Sequence, residues 1–312
     1  MTISVLRTAD AWWVHTATGA AKIATDATTT GALLADRAAI EAAAADTTTV
    51  PVDSLELVSP VTAPCRVVAQ MTNYASHVKD AGMEPAAIPL TFFRKSSASI
   101  TGPSDAIVKP SHVRFLDYEV EIGLVIGIDI PVGSTIADSS LADYVAGLVI
   151  TNDVSARDIQ LPQTQFYEAK SYPTFTPVGP ALVLLTAAEL KRFGELRLKL
   201  RVNGELRQDM RVAGDMIYSP LQALQSLTRF QDLSAGDLIL TGTPVGTALS
   251  APPKAVALIG SLLPPAVKWK AFFKSQARNP KYLHDGDVVE TTVATDDGAI
   301  DLGAQRNTVK FA

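Results

Sequence analysis

The chain has 312 residues, 47% hydrophobic and 19% charged, a globular composition with enough length for a large core. A net charge of −5 and a pI near 5.4 exclude the basic footprint of a nucleic-acid binder. A single cysteine, Cys65, excludes internal disulfides and a zinc centre built mainly from cysteines, and no apolar run is long enough for a membrane span, so a cytoplasmic protein is expected.

Residues 1–60 read as a small N-terminal α+β domain. Ile3–Leu6, Ala11–Val14 and Ala21–Ala24 are short strand candidates, and the Ala-rich run Thr30–Ala45 predicts one helix with Leu33, Ile40 and Ala44 on one side. The Thr- and Pro-containing stretch Asp46–Pro60 reads as a linker. From Val61 to Ala312 the pattern changes to many short apolar runs divided by Gly, Pro, Asp and Asn. They include Leu124–Gly127, Val145–Ile150, Ala181–Leu185, Leu196–Val202 and Asp237–Leu240. That density of strands, with few long helices between them, predicts a β-rich α+β domain, and Asn203-Gly204 is a hairpin turn signal. Residues 250–282 interrupt this rhythm and read as an insertion. A short amphipathic helix within it, Val267–Arg278, carries Trp269, Phe272 and Phe273 as a packing stripe.

The run Asp117-Tyr-Glu119-Val-Glu121-Ile-Gly-Leu-Val-Ile-Gly127 is the most informative. Its apolar alternation predicts a strand, which places Glu119 and Glu121 on one face with Cα atoms roughly 7 Å apart. Two buried carboxylates repel each other and cost desolvation energy, which a hard divalent cation turns into binding; two solvated acids on an exposed face are the plainer alternative. Asp153 follows the apolar run Val145–Ile150 and is a candidate third ligand, or a turn aspartate. Arg157 and Asp158, adjacent in Thr151–Gln160, read as a structural ion pair. If Met71–Asp80 is helical, His77 and Asp80 are neighbours at i, i+3, and a carboxylate beside an imidazole makes it a better base. Lys170 lies among aromatic and small residues, where it can hold a substrate carboxylate or an oxyanion, and Thr241-Gly-Thr243-Pro is a turn whose hydroxyls can face a ligand.

Taken together and in this order, these segments resemble the fumarylacetoacetate hydrolase family. The resemblance runs from about Asn73 to Val309. It rests on Asn73-Tyr74…His77, Phe92-Phe93-Arg-Lys95…Gly102-Pro103, Asp117-Tyr-Glu119-Val-Glu121, Asn152-Asp153-Val-Ser-Ala-Arg157-Asp158-Ile-Gln160, Lys170-Ser…Gly179-Pro180, Thr241-Gly-Thr243-Pro and Gly286-Asp287…Asn307-Thr-Val309. The resemblance implies a β-rich roll that dimerises as a homodimer, and one magnesium or manganese ion per chain on Glu119, Glu121 and Asp153. It also implies a catalytic His77, an active-site Lys170, and substrate contacts from Gln160 and Thr243. Tyr74 is a further candidate for substrate binding. The acid that pairs with the histidine in the family is usually glutamate; here the nearest candidate is Asp80, one methylene shorter.

The resemblance implies a metal-dependent hydrolase that cleaves a C–C bond in a 1,3-diketo acid such as an acylpyruvate. In that chemistry His77, oriented by Asp80, activates a water, and Lys170 offsets oxyanion charge. Decarboxylation of a β-keto acid such as oxaloacetate, or keto–enol isomerisation, uses the same enolate and needs no attacking water. A binding protein without turnover and a structural cation site are the non-enzymatic alternatives.

Overall fold

The computed structural model describes residues 2–163, 166–251 and 263–312. Residues 252–262, the first part of the expected 250–282 insertion, lie outside the described residues.

Two sheets organise the chain, which is α+β as expected. The larger has nine strands in the order Gly19–Lys22, Trp12–Thr16, Ile3–Arg7, Leu182–Leu184, Val145–Asn152, Val120–Ile126, Leu238–Leu240, Val67–Gln70 and Phe92–Lys95. The smaller has five, Glu205–Arg211, Leu196–Val202, Val288–Thr295, Asp301–Phe311 and Ile107–Lys109. Period-two alternation decides which residues face which core. Val120, Ile122, Leu124, Leu148, Ile150 and Ile239 face the smaller sheet and meet Leu198, Leu200, Val289, Val293 and Leu302 in one buried cluster. Val125, Val149, Leu182, Leu184, Leu238 and Leu240 face the other way, where Leu33 and Ile40 cover them. The central strand Val120–Ile126 is buried at all seven positions, so it reads as a continuous apolar run broken only by Glu121.

The three N-terminal strands belong to the larger sheet, because Ile3–Arg7 pairs antiparallel with Leu182–Leu184. The expected single helix over Thr30–Ala45 is two, Thr30–Ala35 and Arg37–Ala44. Asp36 breaks it: its backbone leaves the helical region at φ −94°, ψ 53°, and its carboxylate accepts from Thr25 Oγ1 at 2.7 Å. The break shifts the helical phase, so Ala43 rather than Ala44 is buried beside Ile40. Asn203 and Gly204 form the expected hairpin turn between Leu196–Val202 and Glu205–Arg211, both at positive φ (52° and 81°). The aromatic helix is Pro265–Gln276, and Phe273 packs against Phe115 with ring centroids 5.7 Å apart. Cys65 is half-buried, and burial, then the nearby Asp237 charge, pushes its thiol up to about 12; that suits an inert filler.

Candidate metal centre and active site

Strand register builds the acidic centre. In the antiparallel pair Val120–Ile126 and Val145–Asn152, Thr151 lies opposite Glu121 and Asn152 opposite Val120. The pairing continues past the strand end, where Asp153 N–H donates to the Glu119 carbonyl at 2.8 Å and Glu119 N–H donates to Asn152 Oδ1 at 2.9 Å. Glu119, Glu121 and Asp153 therefore converge, each fully buried, with carboxylate oxygens within 4.8 Å of one another. A one-residue slip would send Asp153 to the other face.

Three buried cations surround this triad. Lys170 Nζ donates to Glu119 Oε2 and Asp153 Oδ2, both at 2.6 Å. Lys95 Nζ, on the edge strand Phe92–Lys95, donates to Asp153 Oδ1 and, at 3.0 Å, to the Phe175 carbonyl. Arg157 donates from Nη2 to Glu119 Oε1 at 2.5 Å, from Nε to Asp117 Oδ2 at 2.8 Å and from Nη1 to Gln160 Oε1 at 2.8 Å. The short antiparallel pair Leu116–Asp117 with Ser155–Ala156 places Arg157 beside Asp117. The expected Arg157–Asp158 ion pair is therefore corrected. Asp158 turns away and accepts from the backbone N–H groups of Arg114 (3.1 Å) and Phe115 (3.2 Å).

The electrostatics divide the triad. Burial alone would push the Glu119 carboxyl up, but Lys170 and Arg157, then His77, override it and hold it well below the usual carboxylate range. Among the described residues no cation contacts Glu121: its Oε2 accepts from the Gly242 N–H at 2.6 Å. Burial, then repulsion from Asp153 and Glu119, raises its pKa well above normal. Lys170 loses basicity to burial but regains more from Asp153 and Glu119, so it stays charged. The cluster thus sets four acids, Asp117, Glu119, Glu121 and Asp153, against three cations, Lys95, Arg157 and Lys170, with Glu121 in excess. An all-oxygen donor set of this span fits a hard divalent cation, whose metal–oxygen distances are about 2.0–2.6 Å. Such an ion would favour the ionised form of Glu121, which burial and the neighbouring carboxylates disfavour.

His77 sits in the helix Ala75–Asp80, which Asp215 anchors from a distant loop. Asp215 accepts from the Ser76 N–H at 2.7 Å and from Ser76 Oγ at 2.5 Å. Burial, opposed by Glu119 and reinforced by Arg157 and Lys170, lowers the His77 pKa, and its buried Nδ1 has no hydrogen-bond partner. The expected His77–Asp80 contact is corrected as well. No hydrogen bond or ion pair joins the two among the described residues: the imidazole lines the cavity over the triad, and Asp80, the last residue of the helix, does not. Asp80 instead meets the following chain through its carbonyl, which accepts from the Ala251 N–H at 3.2 Å.

A cavity of about 70 Å³ lies over the centre, lined by His77, Glu119, Glu121, Asp153, Lys170, Gln160, Thr243 and others. Gln160 and Thr243 line this cavity, and both are engaged: Gln160 by Arg157, and Thr243 Oγ1 by the Val120 carbonyl and Gln208 Nε2, each at 2.9 Å. Tyr74 is not among the lining residues; it is fully buried in the core below. Beside the cavity and sharing Met71, Phe93 and Phe166 with it is an open depression of about 810 Å³. Sequence reasoning gave no role to Lys95, Arg157 or Gln70 in the site. Lys95 carried a signal, a lysine two residues after Phe93 in a strand-like run, where alternation puts both on one face.

Gly242 is needed where it stands. Its φ is +87°, and a Cβ there would lie 2.8 Å from Asn73 Cβ. Asn73 in turn donates to the Tyr218 and Thr241 carbonyls. Gly242→Ala is expected to destabilise the fold by about 2–4 kcal/mol, the sum of left-handed strain and overpacking, and urea denaturation with an unchanged slope measures it.

The fold and the buried centre define a β-rich two-sheet protein with a cluster of three carboxylates that could hold a cation, beside the His77 imidazole. Residues 66–310 match the family described as fumarylacetoacetate (FAA) hydrolase C-terminal, and the chain belongs to that family. The chain is 35% identical over 209 residues to rat mitochondrial oxaloacetate tautomerase Fahd2a, covering 67% of this chain and 64% of the rat protein. It therefore spans just under two thirds of that relative. Oxaloacetate tautomerase YisK of Bacillus subtilis is 32% identical over 243 residues, covering 77% of this chain and 70% of that protein. Among solved structures, a probable 2-hydroxyhepta-2,4-diene-1,7-dioate isomerase from Mycobacterium abscessus superposes with a TM-score of 0.74 at 32% identity, over 100% of this chain and 99% of that one. Among the described residues no helix is long and apolar enough to cross a membrane.

Proposed function

We propose that this protein is a divalent-cation-dependent enzyme that interconverts the keto and enol forms of a short 2-oxo acid such as oxaloacetate. The observation that carries this reading is His77: an imidazole that lines the cavity over the acidic triad, its Nδ1 without a hydrogen-bond partner and no carboxylate joined to it among the described residues to help it activate water. Hydrolysis needs that water, whereas tautomerisation needs only a group that takes a proton from carbon and returns it to oxygen. The names of the rat and Bacillus relatives point the same way.

Glu119, Glu121 and Asp153 would hold the cation, magnesium or manganese, which when bound supplies Lewis-acid polarisation of the 2-oxo group. His77 accepts the proton from the carbon next to that group. Lys170, held charged by Glu119 and Asp153, offsets the negative charge that develops on oxygen. The small cavity limits the reacting part of the substrate to a few heavy atoms, since a water occupies about 30 Å³.

The test is to add the enol form of oxaloacetate to the manganese-loaded protein in ¹⁸O-labelled water. Faster loss of enol absorbance, with oxaloacetate recovered whole, is the expected result. Release of carbon dioxide would replace this reading with decarboxylation. Cleavage of an acylpyruvate with solvent oxygen in the product acid would restore hydrolysis.

A further inference from the structure

Gln70 ends the strand Val67–Gln70 and is 2% exposed, yet among the described residues neither its Nε2 nor its Oε1 has a hydrogen-bond partner. It lines the cavity over the acidic triad. Because both ends of the amide are empty, exchanging its nitrogen and oxygen leaves the conclusion the same. Burying an amide without partners is costly, and such a group in a cavity calls for a ligand that supplies them.

The backbone presenting Gln70 is fixed. Thr72, two residues on, is held at φ +56°, a conformation that β-branched residues avoid. Asn73 clamps the turn by donating to Tyr218 and Thr241 carbonyls at 3.1 and 2.8 Å and accepting from the Tyr218 N–H at 2.8 Å. Three other polar side chains of the cavity are committed: Lys170 to the triad, Gln160 to Arg157, Thr243 to Val120 and Gln208. Gln70 and His77 are the lining residues whose buried polar atoms stand open among the described residues.

Position says which part of a ligand Gln70 meets. Its strand is separated from the triad's strand, Val120–Ile126, by Leu238–Leu240, so the two backbones are roughly 10 Å apart at about 4.8 Å per strand. A ligand whose carboxylate and 2-oxo group sit at the triad therefore extends toward Gln70. We propose that Gln70 is a substrate-binding residue that hydrogen-bonds the distal carboxylate or carbonyl oxygen of the 2-oxo acid, and so selects oxo-dicarboxylic acids over simple 2-oxo acids. As a neutral amide it donates to that oxygen without adding charge to the centre. This rests on the function proposed above for the same site.

The experiment compares malate with lactate, unreactive 2-hydroxy acids that differ by the distal carboxylate. Each is titrated calorimetrically into manganese-loaded wild type and Gln70→Met, whose side chain keeps the length and loses the amide. Wild type is expected to prefer malate. Gln70→Met is expected to lose about ten- to hundredfold in malate affinity, as for one hydrogen bond to a charged group, with lactate within twofold. Its ligand-free thermal midpoint should hold or rise, because an unpaired amide has gone. Equal binding of malate and lactate by wild type, or parallel loss of both in the variant, overturns the proposal. Should Gln70→Met fail to fold, Gln70→Glu, of the same size, must show the same split, and its failure to do so overturns the proposal equally. A wild type that prefers malate but does not convert enol oxaloacetate refutes the proposed reaction and leaves the Gln70 contact standing.

Discussion

Glu119→Ala is expected to abolish divalent-cation binding and to lower turnover by about a thousandfold or more, the scale of several kcal/mol of lost charge stabilisation. Glu119 offers one carboxylate of the triad and is also the residue that Arg157 and Lys170 both contact. Its removal therefore has a second effect. It leaves part of two buried cations uncompensated, which is expected to cost about 3–5 kcal/mol of stability. Glu119→Gln separates the two effects, because the amide keeps the volume and an acceptor oxygen for Arg157 or Lys170 while losing the charge. The expected order is a larger stability loss for Ala than for Gln, with cation affinity lost in both. Manganese titration by calorimetry and urea denaturation of the same samples measure the two quantities independently. Full activity of Glu119→Ala in chelator-treated buffer would remove the triad from the reaction.

The acidic triad was legible because its signal is local. Glu121 lies in an apolar strand and Glu119 just before it, two apart, and Asp153 directly follows another strand that pairs with it. The cations around it were less legible, because tertiary register chooses their partners. Arg157 and Asp158 are adjacent in sequence, yet the pairing of Leu116–Asp117 with Ser155–Ala156 turns one toward Glu119 and the other toward the Arg114–Phe115 backbone. Lys95 needed both its alternation with Phe93 and the knowledge that this edge strand ends beside Asp153. Gln70 gave no signal, since an unpaired amide is defined by what does not touch it. In the fold, Asp36 split a helix that composition alone would continue, through one hydrogen bond to Thr25. The same limit produced the His77–Asp80 expectation: i, i+3 spacing states that two side chains can meet, and the end of a short helix decides whether they do.

That distinction makes His77 and Asp80 separable. His77→Gln is expected to lower kcat by about 10²–10⁴-fold, the usual contribution of a positioned base, with manganese affinity and the urea midpoint little changed. Asp80→Asn is expected to stay within about twofold of wild type, since no hydrogen bond or ion pair joins Asp80 to the imidazole among the described residues. The pH profile adds a sign. Burial first, then Arg157 and Lys170, against the pull of Glu119 and Asp117, hold the His77 pKa below 6.5, so the imidazole is neutral above that value. Activity that depends on the neutral base is therefore expected to be flat through neutral pH and to fall only as pH drops below 6.5; the bound cation, another positive charge, moves the limb further the same way. A kcat/KM profile of wild type and Asp80→Asn should superimpose. An acid limb above 6.5 that Asp80→Asn abolishes would show a carboxylate–imidazole pair forming in the working enzyme, and with it the means to activate a hydrolytic water. Loss of manganese binding in His77→Gln would instead make the imidazole a ligand and leave the proton transfer to another group.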